Sequence, residues 1–178
     1  DMIASYDNLM PFIHLPVQSG DNDVLKLMGR KYTIEQYKEL FDKIKTKIPN
    51  CAVSTDIIVG FPNETEQQYQ HTLDIVNYCK YDNAYTFIYS PRIGTPAAKM
   101  QDNVAMSDKE QRLYRLNALV NQYAWENNQK YLGQKVKVLV EGPSKKNPDV
   151  LTGYTESQKL VNFKGDFHCI GKIVTVEI

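Results

Sequence analysis

The sequence predicts an α/β fold with parallel strands over most of its length, followed by a small antiparallel β-module. Three observations carry this. Apolar, β-branched runs alternate with helical patterns of three-four spacing up to about residue 128. Two stretches shaped Thr-x-x-Gln, Thr33–Gln36 and Thr65–Gln68, mark helix starts between those runs. After Gly133 the period drops to two, in Lys135-Val-Lys-Val-Leu-Val-Glu141.

The elements follow in order. A first strand is expected over Phe12 to Val17, with Pro16 at its end or at a bulge because proline has no amide hydrogen to give a ladder. Gln18-Ser19-Gly20-Asp21 is a polar turn, and a short helix from about Asp23 to Met28 ends at Gly29. Thr33 opens a longer helix whose inward face is Ile34, Tyr37, Leu40, Phe41, Ile44 and Ile48. Ala52 to Val59 reads as a strand covered on both faces, stopped by Gly60 and Pro62. A helix from about Thr65 to Cys79 turns Tyr69, Leu73 and Val76 inward, and a third strand covers about Ala84 to Ser90. Ser107 and Glu110 are expected to cap a long helix, with Leu113, Leu116, Val120 and Tyr123 on one face. Three parallel strands cannot close a barrel and would bare apolar surface, so the chain reads as a piece of a larger barrel or as one half of an assembly. In the tail, Gly142-Pro143 is expected to turn. Val150–Thr155, Lys159–Phe163 and Lys172–Ile178 follow as short strands of a small antiparallel barrel. The domain boundary falls between 1–130 and 131–178.

Composition excludes several classes. The 178 residues are 42% hydrophobic and 24% charged, with no membrane-length apolar run and no signal-peptide pattern, so a cytoplasmic setting without membrane attachment is expected. Net charge is zero but uneven: residues 1–128 carry 13 Lys and Arg against 16 Asp and Glu, and residues 129–178 carry 8 against 5. The tail is the better face for a polyanion, although a solvated lysine-rich surface explains the same numbers. Cys51, Cys79 and Cys169 have no short spacing and read as reduced, partly buried thiols. His14, His71 and His168 do not cluster, and no metal site, nucleophile elbow or phosphate loop is present in the sequence.

In parallel α/β proteins ligands sit at the carboxyl ends of the strands. That rim gathers Gln18, Ser19, Asp56, the Gly60–Pro62 turn, Tyr89, Ser90 and Arg92, with Arg30 one short helix further on. Amide, carboxylate, hydroxyl and guanidinium groups in one ring suit a zwitterionic, hydroxyl-rich ligand, with Arg for a carboxylate and Asp for an amine or ribose. Asp56 needs a partner if it lies in a covered strand, whereas Glu64 is explained by the positive end of the helix that follows. In the tail, Lys145, Lys146, Lys159 and Lys164 interleave with Tyr154, Phe163 and Phe167. This is either an RNA-binding surface or a plain β-module whose aromatics form its core.

His14-Leu-Pro-Val-Gln-Ser-Gly20, Leu25-Lys-Leu-Met-Gly-Arg-Lys-Tyr-Thr33, Ser54-Thr-Asp-Ile-Ile-Val-Gly-Phe-Pro-Asn-Glu-Thr65 and Phe87-Ile-Tyr-Ser-Pro-Arg-Ile-Gly-Thr-Pro96 together resemble the radical-SAM methylthiotransferases. Val150-Leu-Thr-Gly-Tyr-Thr-Glu156 with Lys159–Phe163 resembles their TRAM domain. The resemblance is strongest to the tRNA branch, and the threonylcarbamoyladenosine and ribosomal-protein branches are its alternatives; a stand-alone RNA-binding module on a scaffold half barrel is a further one. It implies half of a TIM-like radical-SAM barrel followed by TRAM. The implied enzyme places a methylthio group on C2 of N6-isopentenyladenosine beside a tRNA anticodon, using S-adenosylmethionine, two 4Fe-4S clusters, a reductant and a sulfur donor. By position it implies that Gln18, Ser19, Arg30, Asp56, Gly60, Pro62, Tyr89, Ser90 and Arg92 serve S-adenosylmethionine. Likewise Lys145, Lys146, Tyr154, Thr155, Lys159 and Lys164 would meet tRNA. The CxxxCxxC loop and the cysteine-bearing N-terminal domain of such enzymes have no counterpart here. The resemblance therefore implies a C-terminal fragment, inactive alone, that works with a missing N-terminal part and holds no catalytic or metal-binding residue. TRAM patterns often carry Arg where Tyr154 stands and Asn where Gln158 stands.

Overall fold

A computed structural model describes residues 2–6 and 8–178; Asp1 and Asp7, which the sequence assigns to the first unit, lie outside the described residues. The first unit runs α1 (Met2–Ser5), β1 (Phe12–His14), α2 (Asn22–Leu27), α3 (Ile34–Lys47), β2 (Ala52–Val59), α4 (Glu66–Cys79), β3 (Asn83–Ile88) and α5 (Met106–Gln129). The second holds β4 (Lys135–Pro143), β5 (Leu151–Thr155), β6 (Leu160–Phe163) and β7 (Ile173–Glu177). β1, β2 and β3 form one parallel sheet in that order, and the other four form an antiparallel sheet in the order β6-β5-β4-β7. The antiparallel module is thus four-stranded, with β6 and β7 at its edges.

The parallel sheet is packed on one face only. Val53, Ile57 and Val59 of β2 join Tyr37 and Phe41 of α3, Tyr69 and Val76 of α4, and Leu116 and Val120 of α5 in a single core. The opposite face is open at its carboxyl half, although Ala52 and Ser54 on it are buried. Exposure alternates along β3, and Tyr85 and Phe87, the ladder partners of Asp56 and Ile58, are each about half exposed. The apolar run of β2 predicts cover on both faces, but Asp56 and Ile58 on the bare side are only half-buried. The open apolar face that three unclosed strands demand is therefore present.

Local rules account for most boundaries. The capping boxes of Thr33 with Gln36 and Thr65 with Gln68 both form. β1 is shorter than expected because Pro16 breaks the ladder. The Val17 amide turns to the Thr55 hydroxyl at 2.9 Å, and pairing resumes only at Gln18, whose amide donates to the Asp56 carbonyl at 2.8 Å. Three expectations fail. Ser107 caps nothing, since α5 starts two residues earlier, with Ala105 in the cap position and no side-chain cap. Its first turn is instead set by Lys109, which lies over Gly60 and pairs with Asp102. Leu40 is 46% exposed, because Tyr37, Phe41 and Ile44 already fill the inward stripe of α3. Gly142-Pro143 does not turn: a bulge after Val140 lets β4 continue to Pro143, opposite Leu151.

The two sheets meet at the amino ends of the parallel strands. Lys159 donates to the Asp82 carbonyl at 3.0 Å and lies 3.5 Å from its carboxylate, while Asp82 also accepts the Val53 amide. Tyr131 and Ser157 share a hydroxyl hydrogen bond of 2.8 Å. α5 closes at Gln129 and β4 opens at Lys135, so the change of pattern lies between them.

Candidate functional site

The carboxyl ends of β1, β2 and β3 lie side by side, as parallel pairing requires. At the first, Gln18 holds a left-handed backbone, φ 65, that costs a non-glycine residue free energy. Its side-chain amide makes none of the hydrogen bonds found among the described residues. Ser19 is fully buried, with its hydroxyl 3.5 Å from that of Thr72. Gly20 presses on α4: a Cβ there would stand 2.1 Å from the His71 carbonyl oxygen. Asp21 caps α2 through the Asp23 and Val24 amides and holds His71 Nδ1 at 2.8 Å. The first turn is thereby fixed to α4.

The second turn is fixed to α5. Gly60, at φ 68, donates its amide to Glu64 Oε2 at 2.8 Å. The same oxygen accepts from Arg112 Nη1 at 3.0 Å, and Nη1 also reaches the Glu64 carbonyl. Burial pushes the Glu64 carboxyl up, against the pull of the Gly60 amide and Arg112. Glu64 is thus half of a buried ion pair, not merely a charge at a helix end. The Lys109 stem covers Gly60, where a Cβ would stand 2.4 Å from Cγ. Phe61 packs edge-on against Tyr89 at 5.1 Å, Pro62 is buried, and the enclosed Tyr89 hydroxyl has no hydrogen-bond partner among the described residues.

Asp56 points to the bare face of the sheet. Its carboxylate lies 3.4 Å from His14 Nε2, and His14 Nδ1 hydrogen-bonds the Ser54 hydroxyl at 2.8 Å. The Tyr85 ring stands edge-on to His14 at 6.2 Å. This answers the question of a carboxylate in a strand: it is 30% exposed and has an imidazole beside it. Arg30, Ser90 and Arg92 are exposed, and neither arginine forms an ion pair among the described residues. Tyr32, two residues past Arg30, donates back to the Pro16 and Val17 carbonyls and keeps that segment at the end of β1. The structure thus brings Gln18, Asp56, Gly60 and Tyr89 to one end of one sheet. Ser19 is committed to the core contact with α4.

Among the described residues no group of three His, Cys, Asp or Glu converges. All three cysteines are free, and burial pushes the Cys79 thiol up to about 12, far from the thiolate that metals require. No helix of the described residues is long and apolar enough to cross a membrane.

In the β-module, Lys145, Lys146 and Lys164 are exposed at the end remote from the parallel sheet. Tyr154 stands in a row with Leu160, Leu139 and Ile173, one residue from each strand in direct register. Thr155 is buried and bonds the Ser157 hydroxyl and the Lys159 amide. Lys159 is drawn to Asp82. These two residues hold the module together and hold it to its neighbour. The pairs His14–Asp56, Glu64–Arg112 and Lys159–Asp82 join residues 42 to 77 positions apart and leave no local pattern to read.

Residues 1–76 match the model of the radical SAM superfamily, and residues 129–178 match that of the TRAM domain. All 178 residues align at 59% identity with a tRNA-2-methylthio-N(6)-dimethylallyladenosine synthase of Bacillus subtilis (strain 168). They align at 58% with proteins of the same name from Geobacillus thermodenitrificans and Oceanobacillus iheyensis. The chain spans 34% to 35% of the length of these relatives.

Proposed function

We propose, on the premise that this chain belongs to the radical SAM methylthiotransferases and ends in a TRAM domain, that it supplies part of an S-adenosylmethionine site and the RNA-binding module of a tRNA methylthiotransferase. The adenosine modified is N6-isopentenylated, and the position modified is C2. The observation that carries this reading is the rim: unpaired polar groups and a fixed glycine turn share one end of a sheet whose other face is packed.

The residues present fit the nucleoside. Among the described residues the Gln18 side-chain amide and the enclosed Tyr89 hydroxyl have no hydrogen-bond partner, and the Arg30 guanidinium forms no ion pair and can meet a carboxylate. Asp56 accepts from an amine or from ribose hydroxyls, with His14 holding the carboxylate in place. The backbone of Gly60–Pro62, braced by Glu64 and Arg112, gives a flat wall for the adenine. Ser90 and Arg92 close the ring after β3. When bound, S-adenosylmethionine supplies the methyl group and the adenosyl fragment of the chemistry. The residues present do not fit an iron–sulfur cluster, because no cysteines converge among the described residues. The 4Fe-4S clusters would be held by cysteines outside these 178 residues, with the reductant and the sulfur donor as separate partners.

The test is made in the full-length protein, in cells lacking their own enzyme. Asp56→Asn is expected to lower the methylthiolated adenosine in total tRNA, read by mass spectrometry, at least tenfold. Unchanged modification would overturn the assignment of the rim.

A further inference from the structure

A cleft of about 740 Å³ opens where the two sheets meet, at the end of the parallel sheet opposite the rim. Pro11, Asn50 and Ala52 mark its floor at the amino ends of β1 and β2. Five lysines line it: Lys45, Lys80, Lys130, Lys135 and Lys137. None of the five forms an ion pair among the described residues. Lys45 donates to the Cys51 carbonyl, Lys130 to the Asn127 side chain, and Lys80 lies over the Tyr123 ring, so their charges stay uncompensated. Lys135 and Lys137 stand exposed on β4. Glu177 faces Lys135 across the ladder without closing an ion pair. The cleft has two carboxylates, Asp82 and Glu156, and Asp82 is already engaged by Lys159.

Five like charges gathered in one concave space repel one another unless an anion enters. We infer that this cleft is a phosphate-binding site that holds the RNA backbone at a distance from the nucleotide being modified. The inference rests on the tRNA reading above and adds a place to it. Along β2 the cleft at Ala52 lies roughly 13 Å from Asp56 and roughly 26 Å from the Gly60 turn. A contact that far from the reacting base contributes affinity and orientation, not chemistry. It also differs from the basic end that the sequence singles out. Lys145, Lys146 and Lys164 sit at the opposite end of the antiparallel sheet from Lys135 and Lys137.

The experiment is tRNA binding by the protein over a series of salt concentrations. Lys135→Gln/Lys137→Gln is compared with Lys145→Gln/Lys146→Gln, and circular dichroism and thermal melts verify that each variant folds. The junction pair is expected to weaken binding about tenfold or more near 0.1 M salt. It should also reduce the slope of log K against log salt by about 2, one for each phosphate left without its lysine. Lys135→Arg/Lys137→Arg is expected to restore both. Lys80→Gln, on a separate element, is expected to reduce the slope by about 1. If the wild type binds tRNA and the junction pair changes neither slope nor affinity, the cleft assignment is overturned and the tRNA reading stands. If the wild type shows no salt-dependent binding, the tRNA reading fails and the cleft assignment fails with it.

Discussion

The two ends of the parallel sheet are built on opposite principles. At the carboxyl ends, charged groups are tied across elements, each pair with at least one buried member: Asp21 with the more exposed His71, Lys109 with the partly exposed Asp102, and Glu64 with Arg112, buried on both sides. At the amino ends Lys159 ties the β-module to Asp82, and the lysines around it have no carboxylate partner among the described residues. A buried ion pair fixes geometry and tolerates no removal of a partner. An unpaired surface charge leaves geometry free and acts at a distance. The difference teaches where shape is held and where charge is offered: the rim is suited to one small ligand, the junction to a polyanion.

Substitutions sharpen that contrast in decreasing order of effect. Arg112→Met leaves Glu64 buried without its cation and is expected to cost about 3–5 kcal/mol in urea unfolding. Its pH dependence has a definite sign. Burial raises the Glu64 carboxyl, so the folded state keeps its proton to a higher pH than the unfolded chain does. That contribution to stability is present below the ordinary carboxylate range and is lost as pH rises through the raised value. Removing Arg112 raises the carboxyl further, so the variant's deficit is expected to be larger at pH 7 than at pH 4. Gly20→Ala forces a Cβ onto the backbone of α4 and is expected to cost about 3 kcal/mol by the same measurement. Gly60→Ala meets the Lys109 side chain, buried and held by Asp102, and must also keep a left-handed conformation, so it is expected to cost about 2–3 kcal/mol. Lys159→Ala removes a charge-assisted hydrogen bond at the junction and is expected to cost about 1–2 kcal/mol, seen also as faster amide exchange at Val53. Lys137→Ala is expected to move stability by less than about 0.5 kcal/mol. A large destabilisation there would break the distinction between the two ends.

What could be read from the sequence was local. Thr33–Gln36 and Thr65–Gln68 carry their whole signal within one helical turn, and both boxes form. Ser107 and Glu110 show the same spacing and fail, because Lys109 is held by Gly60 and Asp102, contacts made from outside the turn. Pro16 announced the break in β1 through its missing amide hydrogen, but the Thr55 hydroxyl that takes over is 38 residues away from Val17. The bare face followed from counting strands, and Tyr85 and Phe87 lie on it. The His14 imidazole beside Asp56, the cation beneath Glu64 and the use of Lys159 as a tether depend on tertiary contacts that no periodicity encodes. Lys135 and Lys137 had a signal, their outward alternation along β4; what was missing was the neighbouring lysines from α3, α5 and the end of α4.

The most direct test measures both ligands on both ends. In the full-length protein, S-adenosylmethionine and tRNA dissociation constants are determined for Asp56→Asn and for Lys135→Gln/Lys137→Gln. The expected result is crossed: the rim variant weakens S-adenosylmethionine and leaves tRNA within twofold, and the junction variant does the reverse. If Asp56→Asn left S-adenosylmethionine binding unchanged, or if each variant weakened both ligands equally, the division of labour between the two ends would be contradicted.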